Sequence, residues 1–384
     1  MFLTFKLRRF VPALAAALVA TASISAQAQI NVGVTLSLTG PGAALGIPTK
    51  GGLDLWPTEI AGEKINMVVI DDTGDPSVAT RNARKFTTED KVDLLLGSNL
   101  TPGSIAVSTV AQETQTPHFS FAPIPLPPGK SDYSFVVPQS VGLMANAVVK
   151  DMKARKIKTV GLIGFSDPWG EQWFAALSKG FEGTDIKIVA NEKYGRADTS
   201  VTGQVLKLVA ATPDAILVAG SGTGAALPQT AIAERGYKGQ IYQTHGAGSG
   251  DFLRIAGKSA EGVILPIGPV LVPSQLADNH PSKKIVGEFV KAFTAKFGEK
   301  SPVVFGAHGF DALQILQRAI PEAKKVAKPG TPEFRKALKT AIESQKEVPG
   351  VNGVYNYTAN DHYGLDERGS VLVQVVGGDW KVLK

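Results

Sequence analysis

An α/β architecture in two lobes follows from three features of this 384-residue chain. Short apolar runs rich in Val and Ile alternate with helical patterns, a Pro-rich segment interrupts the alternation, and the last third turns helical before ending on a hairpin pattern. Continuous apolar strands separated by helices imply parallel sheets covered on both faces.

The chain opens MFLTFKLRRFVPALAAALVATASISAQAQ, with Lys6, Arg8 and Arg9 ahead of an apolar run and the small-residue triplet Ala26-Gln27-Ala28 behind it. That layout predicts a signal peptide over 1–28, cleaved after Ala28, and export to the periplasm. The apolar run is shorter than the ~20 residues of a spanning helix. The remaining 356 residues are enough for two cores of ordinary size.

Strand patterns then begin INVGVTLSL at 30, INMVVIDD at 65, VDLLLGSN at 92 and HFSFA at 118. The segment APIPLPPGKSDYSFVVPQ (122 to 139) is too rich in proline to be helical and reads as the first crossing between lobes. A second strand set follows: TVGLIGFS at 159, IKIVANEKY at 186, AILVAGS at 215, QIYQTH at 240 and GVILPIG at 262. LPIGPVLVP (265 to 273) reads as a second crossing, and three helical stretches come after it. EVPGVNG suggests a third crossing, ahead of a hairpin with a Gly-Gly turn. The expected lobes are therefore 29–139 with 268–350 and 140–267 with 351–384. Trp56-Pro57 should break the first helix.

Ligands of such sheets sit beyond the carboxyl ends of the strands. SLTGPGAALG, DDTGDP, GSNLTPGS, FSFAPIP, FSDPWGEQW, GSGTG and THGAGSG are accordingly the candidate functional loops.

Composition excludes several chemistries. The sequence has no cysteine, so disulfides, thiolate metal sites, cysteine nucleophiles and a lipidated cysteine anchor are all ruled out. With the three leader cations set aside, 37 basic residues face 34 acidic ones, and no basic stripe interleaved with aromatics suggests nucleic acid. The five histidines, His118, His245, His280, His308 and His362, have no metal-pair spacing, so no metal is expected. GSGTGAA (220 to 226) lacks the third glycine of a dinucleotide fingerprint, so no nucleotide cofactor is expected either. No G-x-S-x-G elbow exists, and no catalytic residue is assigned. Asp75-Pro76 and Asp167-Pro168 read as helix caps followed by an N1 proline. Trp169 has two open readings, a stacking surface or a local core residue. His245 likewise reads as a ligand donor or a turn residue.

The order VGVTLSLTGPGAALG, VVIDDTGDPSVATRNARK, LLLGSNLTPGSIAVSTVAQETQTPHFSFAP, GFSDPWGEQW and FGAHGFDALQIL resembles the periplasmic binding proteins of branched-chain amino acid (Leu/Ile/Val) ABC importers. The resemblance implies a type I binding fold: two Rossmann-like lobes with parallel sheets, joined by a three-strand hinge. It also implies a monomer that captures a small-molecule carboxylate and delivers it to an inner-membrane ABC permease, without enzymatic turnover.

Residue by residue, the resemblance places Asn99, Leu100 and Thr101 on the ligand carboxylate, at a helix start that favours anions. Phe121, Ala122 and Ile124 would add contacts, and Leu45, Trp169 and Phe305 would form walls. Amino-acid binders of this family carry a glutamate for the α-ammonium where this chain has His245. Ser221 stands near a position often held by tyrosine, and Gly74 and Leu100 replace a cysteine pair. A buried ammonium without an anionic partner is costly. The favoured ligand is therefore an acid without an amino group, such as a benzoate or hydroxycinnamate, with His245 on a distal polar substituent. One alternative is a hydrophobic amino acid paired with Asp167 or Asp251. The other is a ligand-sensing receptor of the same fold.

Overall fold

The computed structural model describes residues 29–298 and 303–383. The expected signal peptide lies outside them. The first sheet contains β1 (Ile30–Leu36), β2 (Glu59–Ile60), β3 (Glu63–Asp71), β4 (Leu94–Gly97), β5 (His118–Ser120) and β6 (Ser134–Val136), in the order β2-β3-β1-β4-β5-β6. All pairings except β2 with β3 are parallel. Its helices are α1 (Ala43–Leu53), α2 (Pro76–Thr88) and α3 (Thr101–Thr114). The reversal of strand order between β1 and β4 opens a crevice beyond their carboxyl ends.

The second sheet follows α4 (Val141–Ala154). It is built from β7 (Thr159–Phe165), β8 (Lys187–Tyr194), β9 (Ala215–Ala219), β10 (Gln240–Gln243) and β11 (Ile264–Ile267). Helices α5 (Pro168–Phe181), α6 (Thr202–Ala210), α7 (Ala226–Glu234) and α8 (Gly250–Ala256) lie between these strands. The chain continues through α9 (Lys283–Phe297), α10 (Val303–Lys324) and α11 (Pro332–Glu343) to a short antiparallel pair, β12 (Val348–Pro349) and β13 (Val354–Tyr355). It closes with β14 (Val371–Val376) and β15 (Asp379–Val382), which turn at Gly377-Gly378 and add antiparallel strands to the second sheet. That sheet's order is β15-β14-β11-β10-β9-β7-β8.

Local chemistry explains the helix starts. Asp75 accepts from the Ser77 and Val78 N–H groups at 2.6 and 3.4 Å, ahead of Pro76 at the first position of α2. Asp167 caps α5 through the Trp169 N–H at 2.9 Å. The first helix ends at Leu53, before the Trp56-Pro57 break, and the Trp56 indole donates to Gly309 O at 2.8 Å.

Each sheet buries its own core. Ile30, Val32, Leu94 and Phe119 pack with Leu316 and Phe334 of the returning helices, while Val160, Leu162 and Leu217 pack with Trp173 and Leu177. Tyr355, Tyr357 and the partly buried Leu365 still belong to the first of these cores. The chain rejoins the second sheet at Val371, where β14 begins.

The three passages meet in a buried polar knot. The Gln139 side-chain amide, on the first passage, donates to Asn352 O at 3.1 Å and Gly369 O at 2.9 Å. Asp311 of α10 accepts from the Val351 N–H at 2.6 Å, and from the Asn352 N–H and side-chain amide at 2.9 Å each. On the second passage, a Cβ at Gly268 would lie 2.6 Å from Gln139 Nε2 and 2.9 Å from Asn352 Oδ1, so a larger residue would displace these two side-chain amides. The Tyr355 Oη lies 2.8 Å from Val137 O and 2.9 Å from Asp311 Oδ2, with one proton for two acceptors.

Burial pushes the Asp311 carboxyl up to about 6 against the opposing pull of its hydrogen-bond donors. A carboxyl that holds its proton this far can donate to the phenol oxygen, leaving the phenol proton for Val137. Because its folded value is raised, its contribution to stability is fully present below the ordinary aspartate value near 3.8 and is lost as pH rises through about 6. The Asp311→Asn variant is expected to melt lower at every pH, because an amide offers one acceptor where the carboxyl uses two. It should also lose this part of the decline between pH 4 and 6. Scanning calorimetry of both proteins across that window measures the difference; parallel curves would show that Asp311 does not titrate there.

Candidate functional site

The carboxyl ends of both sheets face one cleft with about 350 Å³ of space between atoms, part of it open to solvent. On the first lobe, the loop after β4 runs through Asn99 and Leu100 into α3. Asn99 is tied into the structure: its Oδ1 accepts from the Ser37 N–H at 2.8 Å and its Nδ2 donates to Gly42 O at 3.3 Å. Thr101 opens α3 at the cleft, and its hydroxyl donates to Pro123 O at 3.1 Å. The first turn of a helix directs unpaired N–H groups and a positive dipole end outward, which favours an anion.

These loops are held by the buried carboxylate of Asp72. It accepts from the Ser37 and Ser98 hydroxyls at 2.6 Å each and from the Gly74 N–H at 2.9 Å, joining the ends of β1, β3 and β4. Asp71 binds the Thr39 hydroxyl at 2.6 Å. All three carboxylates of DDTGDP are thus used in folding, and among the described residues no group of three or more His, Cys, Asp or Glu could hold a metal.

The second lobe contributes a different wall. The Trp169 indole donates to Gly220 O at 3.2 Å and packs edge-on to Trp173, so it serves the core and lines the cleft together. Arg196 donates to Asp167 at 2.6 Å and to the Ser221 hydroxyl at 3.1 Å, and its guanidinium lies 4.1 Å from the Phe165 ring centre. His245 is 6% exposed, 5.1 Å from the Trp169 ring, and neither of its ring nitrogens has a hydrogen-bond partner among the described residues. Burial, with His308 beside it, pulls His245 down to about 3, and burial pulls His308 down to about 4. Both imidazoles are neutral near pH 7.

Ten of the eleven residues singled out in the sequence line this cleft: Leu45, Asn99, Leu100, Thr101, Phe121, Ala122, Trp169, Ser221, His245 and Phe305. Ile124 does not. Its side chain is fully buried and its carbonyl accepts from the Tyr363 hydroxyl at 2.8 Å. The sequence reading missed Pro123, Pro138, Arg196, Gly246 and His308. Arg196 follows β8, a strand whose loop was not counted among the functional ones. His308 lies three residues after Phe305 on α10, a spacing that puts both on one helix face.

The two aspartates considered for an ammonium are unavailable. Asp167 is spent on the α5 cap and on Arg196. Asp251 pairs with Arg254 and does not line the cleft, which presents no carboxylate among its lining residues. The lobes already touch across it. Gln172 of α5 approaches Pro123 O at 3.5 Å, and a Cβ at Gly222, whose φ is +55°, would lie 2.6 Å from Leu45 Cδ1.

Comparisons with known proteins agree with this architecture. A family model described as periplasmic binding protein matches residues 29–379. An extracellular ligand-binding receptor from Rhodopseudomonas palustris HaA2 is similar at 51% identity and a TM-score of 0.91, over 93% of this chain and 100% of that one. The Leu/Ile/Val-binding protein homolog 1 of Brucella abortus is 25% identical over 334 residues, which is 82% of this chain and 83% of that protein. A solute-binding protein of an ABC transporter from Rhodopseudomonas palustris BisB5, solved in complex with 3,4-dihydroxybenzoic acid, shares the fold at a TM-score of 0.76 and 20% identity, over 92% and 95% of the two chains. With two doubly wound lobes closing on one cleft, and with the family match running nearly end to end, the chain belongs to the periplasmic binding protein family.

Proposed function

We propose that this protein is the exported solute-capturing subunit of an ABC importer, and that its ligand is a small carboxylate with an apolar or aromatic body and no amino group. The observation that carries the reading is the charge of the cleft: one cation, Arg196, two neutral histidines and no carboxylate. An α-ammonium buried there would be left unpaired, at several kcal/mol. A carboxylate has suitable partners in the backbone N–H groups at the α3 N-terminus, where the Thr101 hydroxyl is already given to Pro123 O, and in the N–H groups of Arg196 that Asp167 and Ser221 do not use. Leu45, Phe121, Trp169 and Phe305 supply the apolar enclosure. The protein would act as a monomer in the periplasm and pass its ligand to an inner-membrane permease. The Rhodopseudomonas protein that holds 3,4-dihydroxybenzoic acid supports an acid of this class; the relative named for Leu, Ile and Val favours the amino-acid alternative.

A thermal-shift screen separates the two. Benzoate, 4-hydroxybenzoate and 4-hydroxycinnamate are expected to raise the melting temperature, a ligand at one hundred times its Kd adding about 2.7 kcal/mol. Leucine, isoleucine and valine should leave it unchanged; stabilisation by these alone would overturn the reading. His245→Glu places a charge in the cleft and should abolish acid binding, measured by calorimetric titration. Gly222→Val, which puts a side chain against Leu45 at a left-handed position, should weaken binding tenfold or more by holding the lobes apart, with about 1–3 kcal/mol of local backbone strain.

A further inference from the structure

His245 carries an unusual combination. It is more than nine-tenths buried, it lines the ligand cleft, and neither ring nitrogen is paired, while Trp169 and Trp173 pack against it at 5.1 and 6.1 Å. His308, 7% exposed, lines the same cleft from α10, beside Phe305. A neutral imidazole presents one N–H donor and one bare nitrogen acceptor. A ligand with a purely apolar end would seal these polar atoms away from water without replacing their hydrogen bonds, which is the expensive outcome for a buried polar group. A hydroxyl is the smallest group that answers both needs, since it donates and accepts from one oxygen. A charged group does not suit the position, because neutral imidazoles walled by two indoles offer it no counter-charge.

Resting on the acid-binding reading above, we infer that His245 and His308 form a specificity subsite for a ring hydroxyl remote from the carboxylate, so that the protein takes hydroxylated aromatic acids in preference to their unsubstituted parents. The α3 N-terminus and Arg196, which that reading assigns to the carboxylate, should not contribute to this preference, because parent and hydroxylated ligand share the carboxylate. Sites built to bond a hydroxyl discriminate strongly against analogues that lack it.

Calorimetric titration of the purified protein tests this with matched probes: benzoate, 4-methylbenzoate and 4-hydroxybenzoate, then cinnamate and 4-hydroxycinnamate. The hydroxylated member of each series is expected to bind about 10- to 100-fold tighter than its parent, and 4-methylbenzoate, similar in size but unable to hydrogen-bond, should bind no better than benzoate. His245→Phe should reduce the preference to within about threefold, chiefly by losing the hydroxylated ligand, while His245→Gln, which keeps a donor and an acceptor, should retain part of it. If parents and hydroxylated acids bind equally to the unaltered protein, or if 4-methylbenzoate matches 4-hydroxybenzoate, the subsite is refuted and the acid-binding reading stands. If none of the five acids binds, that reading itself fails. Should His245→Phe not fold, the ratios in the unaltered protein and in His245→Gln decide the question.

Discussion

The fold turns on one buried carboxyl group without a charged partner. Asp311 receives the Val351 and Asn352 N–H groups and lies against the Tyr355 hydroxyl, while Gln139 ties the first passage to Asn352 and to Gly369 ahead of β14, and Gly268 brings the second within contact. Burying an aspartate is unfavourable unless its oxygens are well supplied with donors. The donors here come from backbone that would otherwise be free to wander. Three chain passages are thereby held at one point, and two lobes built from interleaved segments of the chain are joined there. The cleft is the space this junction leaves between the strand ends.

Each lobe then uses its polar residues differently. On the first lobe, Asp72 joins the loops after β1, β3 and β4 into a rigid floor, and the α3 N-terminus rises from it. On the second, the polar groups are left nearer the ligand. Arg196 is balanced by Asp167 and braced on Phe165, so its charge is fixed in place at the cleft wall. The two histidines are neutral because burial penalises their charged form. The cleft therefore combines an anion-favouring floor, a restrained cation and uncharged hydrogen-bonding groups, with aromatic faces between them.

This division also separates the family from the ligand. The hinge knot and the close approach of Gly222 to Leu45 bring the lobes together, and these contacts are separate from the charges that line the cleft. The charge of the cleft is set by a few side chains at strand ends, and at His245 it is a neutral imidazole that lines the cleft.

Sequence alone was sufficient for the alternation of strands and helices, the capping aspartates, the break at Trp56-Pro57 and most of the loops that form the cleft, because these follow from local periodicity and turn chemistry; the individual lining residues came from the family resemblance. It also marked His245 as a departure from the family pattern. What needed the tertiary structure was pairing across distance. Arg196 is an ordinary surface-type residue in sequence, and only the fold of β8 beside β7 brings it to Asp167 and Ser221. His308 reads as one helical residue among many until α10 is laid against the cleft. Ile124 fails for the converse reason: it has the right place in the loop, yet its side chain turns into the interior and its carbonyl is taken by Tyr363. Local spacing decides which segments reach the strand ends, whereas the direction of each side chain, and the charge it meets there, is set by partners that other elements bring from elsewhere in the chain.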